Sequence, residues 1–189
     1  MSEEEQRAWA EAARDGDESA FEQIFRHYQV SLYNWARHLV KDPDEAEDVV
    51  QKSFIKAFRA LPKMREPGAL DYWLKRIVYT TSIDHLRKRK RRAETSWDDR
   101  LRHHSLPGRG PETDALYQEQ LDMVQVALQQ LPDRYRAYIL LREFEGKTYD
   151  EIGEIMGDPT TTVRVVLFRA RERLREILRQ LAGEDNDGA

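Results

Sequence analysis

The chain contains no cysteine, and this absence excludes several kinds of site. Without thiols there is no disulfide framework, no thiolate metal site and no thiol nucleophile. No apolar run approaches the ~20 residues that a membrane-spanning helix needs. The N-terminal stretch MSEEEQRAWAEAARDGD is acidic and amphipathic, unlike a secretory signal. We therefore expect a cytoplasmic protein that does not insert into a membrane.

Motifs of assembled catalytic sites are also missing. The chain has no HExxH metalloprotease motif, no Walker motif and no serine elbow. The adjacent His103 and His104 do not converge on one metal in any regular element. We predict that the protein is not an enzyme and that it needs no cofactor and no metal.

Strand-like alternation is absent as well, and nearly the whole chain has the apolar period of a helix. The predicted fold is therefore all-α. A first helix is expected over about residues 3–14, and a second follows the apolar stripe from Phe21 to Leu39. Asp42-Pro43 predicts the start of a third helix. The inward face of that helix is predicted to contain Ala46, Val50, Phe54, Ala57 and Leu61.

The middle of the chain predicts a loop, a long helix and a linker. Residues 62–68 (PKMREPG) indicate the loop, and the helix after it is expected to bury Leu70, Trp73, Leu74, Ile77, Thr81 and Leu86. Residues 93–113 lose the helical period and gain proline and glycine. We interpret them as a linker between a domain at 1–92 and a second domain at 114–189. In the second domain, helices are expected over 115–130 and from Leu131-Pro132-Asp133 to about Phe144.

Charge is distributed unevenly along the chain. The net charge is −4, yet residues 87–92 are six consecutive basic residues and residues 164–175 are basic again. Residues 42–48, in contrast, are acidic. Local patches decide where a polyanion binds, so a nucleic-acid partner is compatible with the negative total.

The segment GKTYDEIGEIMGDPTTTVRVVLFRARERLR is typical of a helix-turn-helix. Thr148 and Glu151 form the capping-box spacing at the start of its first helix. Gly157 suits the left-handed residue that ends this helix. Asp158 is predicted to cap the second helix, with Pro159 as its first residue.

The second helix of this segment is predicted to have one apolar and one basic face. At about 100° per residue, an inward face collects Val163, Leu167, Ala170 and Leu174. Arg164, Val165, Phe168 and Arg169 project elsewhere, with Thr161 close to Val165. Arginines suit guanine edges or phosphates, and methyl-bearing groups suit thymine. The alternative is an ordinary helical hairpin with a solvated basic face.

Two further surfaces carry functional hypotheses. Aromatic and basic residues interleave at Tyr72, Trp73, Lys75, Arg76, Tyr79, His85, Arg87 and Lys88. This pattern suits single-stranded DNA, although Trp73 also fits a core position. The third helix is acidic on its predicted outer face, at Glu45, Glu47 and Asp48, followed by Gln51. This face is either a docking surface for a basic protein or a capped, solvated helix start.

Together these segments resemble a bacterial RNA polymerase sigma factor of the extracytoplasmic-function group (group IV). DPDEAEDVVQKSFIKAFRAL is similar to the segment that docks on the clamp helices of the polymerase largest subunit. ALDYWLKRIVYTTSIDHLRKRKR is similar to the segment that recognises and opens the −10 element. LPDRYRAYILLREFEGKTYDEIGEIMGDPTTTVRVVLFRARERL is similar to the domain that reads the −35 element. The resemblance covers roughly residues 15–92 and 114–181.

The resemblance implies a role for each surface. Core polymerase would bind at Glu47, Asp48, Gln51 and Phe54. The −10 DNA would meet Lys63, Met64, Arg65, Tyr72, Arg76, Tyr79, Thr80, Arg87 and Lys88, with the first three lining the pocket of a flipped base. The −35 DNA would meet Thr161, Thr162, Arg164, Val165, Phe168, Arg169 and Arg171. The implied partners are core polymerase, including the flap of its second-largest subunit, promoter DNA both duplex and single-stranded, and an anti-sigma factor.

The chain departs from the family pattern at three positions. Thr80 stands where many relatives carry asparagine, and Val165-Val166 stand where many carry serine and arginine. Two alternatives to a transcription initiation factor therefore stay open. One is a stand-alone helix-turn-helix regulator, and the other is an adaptor that sequesters an anti-sigma factor.

Overall fold

A computed structural model of the protein describes residues 2–95 and 115–183. Within these residues the chain is helical and contains no strand, which confirms the all-α prediction. It divides into two compact units, one built on α1–α4 and the other mainly on α5–α8. The helices are α1 (Glu3–Arg14), α2 (Glu18–Val40), α3 (Pro43–Ala60), α4 (Leu70–Thr95), α5 (Ala115–Gln130), α6 (Asp133–Ile139), α7 (Tyr149–Met156) and α8 (Thr160–Ala182). The predicted linker at 93–113 lies mostly outside the described residues.

Aspartates start two of the helices in the first unit. The carboxylate of Asp17 accepts from the backbone N–H of Ser19 at 2.8 Å and caps α2. The carboxylate of Asp42 accepts from the N–H groups of Asp44 and Glu45 at 2.9 and 3.0 Å, and Pro43 is the first residue of α3. Each cap satisfies backbone donors that the first helical turn leaves free. The predicted start of α3 is confirmed.

The core of the first unit lies where α2, α3 and α4 pack against one another. All of the residues predicted to face inward from α3 are buried. The face predicted for α4 is partly wrong, because Trp73 and Ile77 are only half-buried while Val78 and Ser82 are buried. Leu74, Val78 and Ser82 recur every four residues and follow the helix geometry. The prediction had placed Trp73 and Ile77 inward because both fit an apolar stripe that starts at Leu70.

The segment between α3 and α4 is more ordered than the predicted loop. It contains two 3₁₀ turns, Leu61–Lys63 and Pro67–Ala69, with extended backbone at Met64 between them. Both turns pack against α1. The N-terminal helix therefore supports the segment for which the family resemblance implies −10 base capture.

In the second unit, α5 and α6 pack against α8. The predicted helix to Phe144 is present, but its last part, Leu140–Phe144, is π-helical. Arg136 is buried in the junction of α5 and α6. Its guanidinium donates to the carbonyl of Leu131 at 3.1 Å and to the carboxylate of Asp133 at 2.6 Å. This arginine therefore stabilises the junction, since a buried charge needs such partners.

Candidate nucleic-acid and protein interfaces

Helices α7 and α8 form the predicted helix-turn-helix. The backbone N–H of Thr148 donates to the Glu151 carboxylate at 2.6 Å, and the Glu151 N–H donates to the Thr148 hydroxyl at 3.3 Å. These two bonds are the capping box. Gly157 follows α7 with φ of 74°, a left-handed conformation that costs glycine little. The predicted start and end of α7 are both confirmed.

The predicted cap of α8 is wrong. Pro159 is the N-cap in extended backbone, α8 begins at Thr160, and no side chain caps it. The Asp158 carboxylate instead accepts from the Arg134 guanidinium at 2.9 Å and from the Tyr138 hydroxyl. A charged donor and a buried hydroxyl from α6 offer this carboxylate stronger partners than a local backbone N–H. Those donors are about 20 residues away in sequence, so the local pattern could not reveal them.

Two close approaches fix the angle between α7 and α8. A Cβ added at Gly153 would lie only 2.7 Å from the backbone oxygen of Asp158. The Thr160 hydroxyl donates to the Asp150 carboxylate at 2.6 Å. The turn is therefore tight at its backbone and bridged by side chains, which orients α8 relative to the rest of the unit.

Helix α8 has the two faces that the sequence predicts. Its inward side chains are fully buried at Val163, Leu167 and Ala170, and Leu174 is half-buried. The exposed residues of its first half are Thr161, Arg164, Val165, Phe168 and Arg169, while Thr162 is half-buried. Within the described part of the chain, Arg164 and Arg169 make no hydrogen bond and no ion pair. Both guanidinium groups are therefore available to a ligand.

Arg171 has a different environment from these two arginines. Its Nε and one terminal nitrogen donate to the same Glu143 carboxylate oxygen at 2.9 and 2.6 Å. Hydrogen bonds to Glu143, and then to Tyr149, raise the pKa of Arg171. The side chain thus joins α8 to the π-helical segment. Its predicted contact with −35 DNA stays a prediction.

The residues predicted for −10 DNA lie on α4 and on the segment before it. Lys63, Arg65, Arg76, Thr80, Arg87 and Lys88 are exposed, Tyr72 and Tyr79 are half-buried, and Met64 is buried. The Thr80 hydroxyl donates to the carbonyls of Arg76 and Ile77 at 3.0 Å each, so its helix already occupies that donor. Among the interleaved basic residues, Lys75 is buried and lies 3.3 Å from the Asp71 carboxylate. Lys75 therefore belongs to the interior of the unit.

The acidic face of α3 borders an open groove between α2 and α3. Glu47, Asp48 and Gln51 form one rim, and Phe25, Val30 and Tyr33 of α2 line the other side. Phe54 is buried beneath it, with its ring centroid 4.7 Å from that of Phe25. The α2 side of the groove was not predicted from the sequence. The signal available in the sequence was Val30, an apolar residue that lies off the apolar stripe of α2. In the structure Val30 is 65% exposed.

Glu45 does not belong to this rim, which corrects the predicted outer face of α3. Its carboxylate lies 2.7 Å from the Arg89 guanidinium and 3.3 Å from Nε2 of His85, both on α4. The pairing arises because α3 and α4 pack side by side. It connects the acidic helix to the basic block.

Metal sites and membrane-spanning helices were also searched for among the described residues. Among them no group of three or more histidine or acidic side chains could hold a metal ion. No helix in the described ranges has the length and apolarity required to span a bilayer. The helix-turn-helix of α7 and α8, with its exposed basic face, is typical of a DNA-binding protein.

Comparison with known proteins identifies this class. Residues 24–92 match Sigma-70 region 2, and residues 121–174 match Sigma-70, region 4. The chain is 36% identical to the RNA polymerase sigma-H factor of Pseudomonas aeruginosa, with 97% of this chain and 99% of that protein covered. It is also 36% identical to the ECF RNA polymerase sigma-E factor of Salmonella typhimurium, with 87% and 89% covered.

A solved structure agrees with the sequence matches. The sigma factor RpoE of Bartonella quintana, in complex with the anti-sigma factor NepR, has a TM-score of 0.67 at 27% identity. The alignment covers 84% of this chain and 96% of that one. The chain belongs to the extracytoplasmic-function sigma factors of RNA polymerase, and it is a transcription initiation factor.

Proposed function

We propose that this sigma factor directs core polymerase to promoters with a −35 and a −10 element, and that it reads the −35 element with the exposed face of α8. The observation that supports this most directly is the pair of unpartnered arginines, Arg164 and Arg169, on a helix fixed by a tight turn. A rigid helix with free guanidinium groups on its outer face suits the major groove. We also assign contacts with the −35 element to Thr161 and Thr162 at the start of α8, as the family resemblance implies.

The −10 element is the proposed ligand of α4 and the segment before it. Lys63 and Arg65 are exposed beside the half-buried Tyr72, and Arg87 and Lys88 continue the basic surface. Flipping a base out of the stack costs a few kcal/mol, which stacking and pocket contacts offset. Aromatic rings beside cations supply such contacts for a melted strand. Packing of α1 against both 3₁₀ turns favours a preformed capture segment.

We propose that core polymerase docks in the groove between α2 and α3. Its acidic rim and partly exposed apolar floor complement a basic, amphipathic helical surface. We propose that the clamp helices of the largest subunit bind in this groove. We propose that the flap of the second-largest subunit binds to residues 114–189. Residues 1–92 would bind polymerase and the −10 element, with residues 93–113 joining the two domains.

The remaining assignments follow from the family. The factor acts in the cytoplasm without catalytic chemistry of its own. The match to a sigma factor solved with its anti-sigma factor supports regulation by such a partner. Polymerase sets the spacing between the two DNA-binding surfaces, so this protein alone binds a promoter weakly.

The test is transcription with purified components. Bacterial core polymerase is combined with this protein and fragmented genomic DNA from its source, and the RNA 5′ ends are sequenced. We expect discrete starts preceded by a shared two-block motif. Arg164→Ala and Arg169→Ala should weaken promoter binding, and each should reduce the salt slope by about 1 if its guanidinium meets a phosphate.

Arg173→Ala is the matched control for these two arginines. Arg173 is also an exposed arginine of α8, but it is paired with Glu176 at 2.5 Å. The control should retain the wild-type starts and salt slope. Starts no more frequent than with core alone, despite a complex with core, would favour the adaptor. Failure to form that complex, combined with specific duplex binding, would favour the stand-alone regulator.

A further inference from the structure

We infer that Val165 and Phe168 read the 5-methyl groups of thymines within the −35 element; the inference rests on the proposed function. Val165 is 50% exposed and Phe168 is 66% exposed. They are three residues apart on α8, so the two side chains are neighbours on one face. Thr161 lies one turn before Val165 and is also exposed. The outer face of α8 thus presents a short ridge of apolar groups.

Packing within the second unit does not account for this ridge. The buried face of α8 is already complete with Val163, Leu167, Ala170 and Ile177. A β-branched residue and an aromatic residue are also weaker helix formers than alanine or arginine. Val165 and Phe168 differ from a single exposed apolar residue because they are adjacent and form one apolar patch on the outer face of α8, which suits contact with a ligand.

The flanking charges indicate which ligand covers the ridge. Arg164 directly precedes Val165, and Arg169 lies one turn after it, and neither has a partner in the described part of the chain. Exposed cations on both sides of an apolar patch suit a polyanion more than an apolar protein surface. Duplex DNA is the polyanion on which this family acts.

The chemistry of the base edges indicates which group of the DNA the two apolar side chains contact. In the major groove only thymine presents a methyl group, beside the O4 acceptor of the same base. Val165 and Phe168 have no side-chain hydrogen-bond donor or acceptor, so they cannot pair with the polar edges of guanine, adenine or cytosine. Apolar contact with a thymine methyl is the direct readout open to them. The arginines on either side would hold the helix in register.

The experiment removes the methyl group and nothing else. Once the transcription assay has located the −35 element, each of its thymines is replaced in turn by deoxyuridine. The dissociation constant of the reconstituted holoenzyme is then measured at fixed salt. We expect about three- to fivefold weaker binding at one or two positions, the loss of roughly one buried methyl group.

Protein variants connect this effect to the side chains. Val165→Ala should bind the thymine and deoxyuridine forms of one position equally, so the two changes are not additive. Phe168→Ala should do the same at a neighbouring position. Leu181→Ala is the matched control, since Leu181 is an exposed apolar residue of the same helix, 38% exposed, about 24 Å from Val165 along the axis. This control should keep the full methyl sensitivity.

These experiments test the readout of thymine methyl groups separately from the sigma factor function. Discrete transcription starts without any deoxyuridine effect would overturn the inference and leave the sigma factor function intact. Methyl sensitivity that persists in both the Val165 and Phe168 variants would overturn it as well. No starts with the wild-type protein would instead count against the proposed function. Circular dichroism of each variant confirms its fold, and alanine on an exposed helix face should preserve it.

Discussion

At the scale of single residues, two buried tyrosines differ in how their hydroxyls are satisfied. The Tyr138 hydroxyl donates to the Asp158 carboxylate and joins α6 to the turn of the helix-turn-helix. The Tyr28 hydroxyl is buried in the first unit and has no hydrogen-bond partner among the described residues. A buried polar group without a partner costs stability, whereas a satisfied one contributes to it.

Replacing each tyrosine by phenylalanine should therefore have opposite effects. Tyr28→Phe removes an unsatisfied hydroxyl and is expected to raise the free energy of unfolding by up to about 1 kcal/mol. Tyr138→Phe deprives the Asp158 carboxylate of a donor and should lower it by about 1–2 kcal/mol. Chemical denaturation at neutral pH measures both. Equal destabilisation by the two substitutions would contradict the assigned hydroxyl environments.

The same tyrosines predict a loss of stability in alkaline solution. Burial, and secondarily the charge of Asp71, raises the pKa of Tyr28 above its ordinary value of 10.0. Burial, followed by the bond to Asp158, raises the pKa of Tyr138 in the same direction. The unfolded chain then loses these protons first, so the free energy of unfolding is at its full value below pH 10 and falls as the pH rises above it.

Unfolding free energies measured between pH 8 and pH 11 test this dependence. Each phenylalanine variant should lose less stability over that range than the wild type, because it lacks one group that ionises on unfolding. Tyr33→Phe is a control at a half-buried tyrosine. A variant curve parallel to the wild-type curve would exclude that tyrosine as a source of the alkaline loss.

At the scale of elements, the junction of α7 and α8 depends on the missing side chain of Gly153. A methyl group there would lie 2.7 Å from a backbone oxygen, which cannot rotate away. Gly153→Ala should therefore displace the turn and destabilise the second unit by about 1–3 kcal/mol. Because α8 would tilt, promoter binding through the −35 element should fall further than stability alone explains. Thermal unfolding and promoter binding, measured on the same preparation, test both.

Gly183→Ala distinguishes crowding from backbone strain. Gly183 ends α8 with φ of 76°, and a Cβ there would meet nothing within 4 Å. Alanine at this position should cost about 1 kcal/mol through its left-handed backbone and leave promoter binding unchanged. If Gly153→Ala were as mild as this control, the tight approach of α7 and α8 would not be needed for DNA binding.

The elements also show where sequence patterns predict well. Capping signals and apolar periods placed α1, α2, α3, α5 and α7 correctly, since caps and periods are local properties. The start of α8 was missed by one residue because Asp158 bonds to Arg134 and Tyr138 instead of to its own helix. The π-helical end of α6 had no local signal either. In this π-helical segment the backbone N–H of Glu145 donates to the carbonyl of Leu140 at 3.1 Å. Glu143 of the same segment is bound by Arg171 of α8, a partner that is distant in the sequence.

At the scale of the whole molecule, each unit has a hydrophobic core of its own. In the first unit the core lies among α2, α3 and α4, and in the second it lies among α5, α6 and α8. We therefore expect fragments 1–95 and 115–183 to fold separately. Circular dichroism should show helix in both, with one cooperative thermal transition each.

A fragment cut within the first unit provides the control. Residues 1–60 keep α1–α3 but lose α4, against which both α2 and α3 pack. This fragment should be far less helical than fragment 1–95, because its core lacks one side. Cooperative folding of 1–60, or an unfolded 115–183, would contradict the assignment of a separate core to each unit.

The sequence by itself determined the helical class, most helix boundaries, the inward face of α3 and the two faces of α8. These depend on residue period and capping, which act over a few neighbouring residues. It also indicated the family, through three segments in a fixed order. Exposure of Arg164, Val165, Phe168 and Arg169 followed from the same period.

Only the tertiary structure decided which polar groups remain available to a partner. Glu45 pairs with Arg89 on α4, Arg171 pairs with Glu143, and Asp158 binds donors from α6. Only packing could also set Phe25 and Val30 of α2 beside the acidic rim of α3. These partners are far apart in the chain, and ion pairs or grooves between helices form only after the helices have packed. A local pattern shows that a side chain is charged or exposed, and the fold determines what it meets.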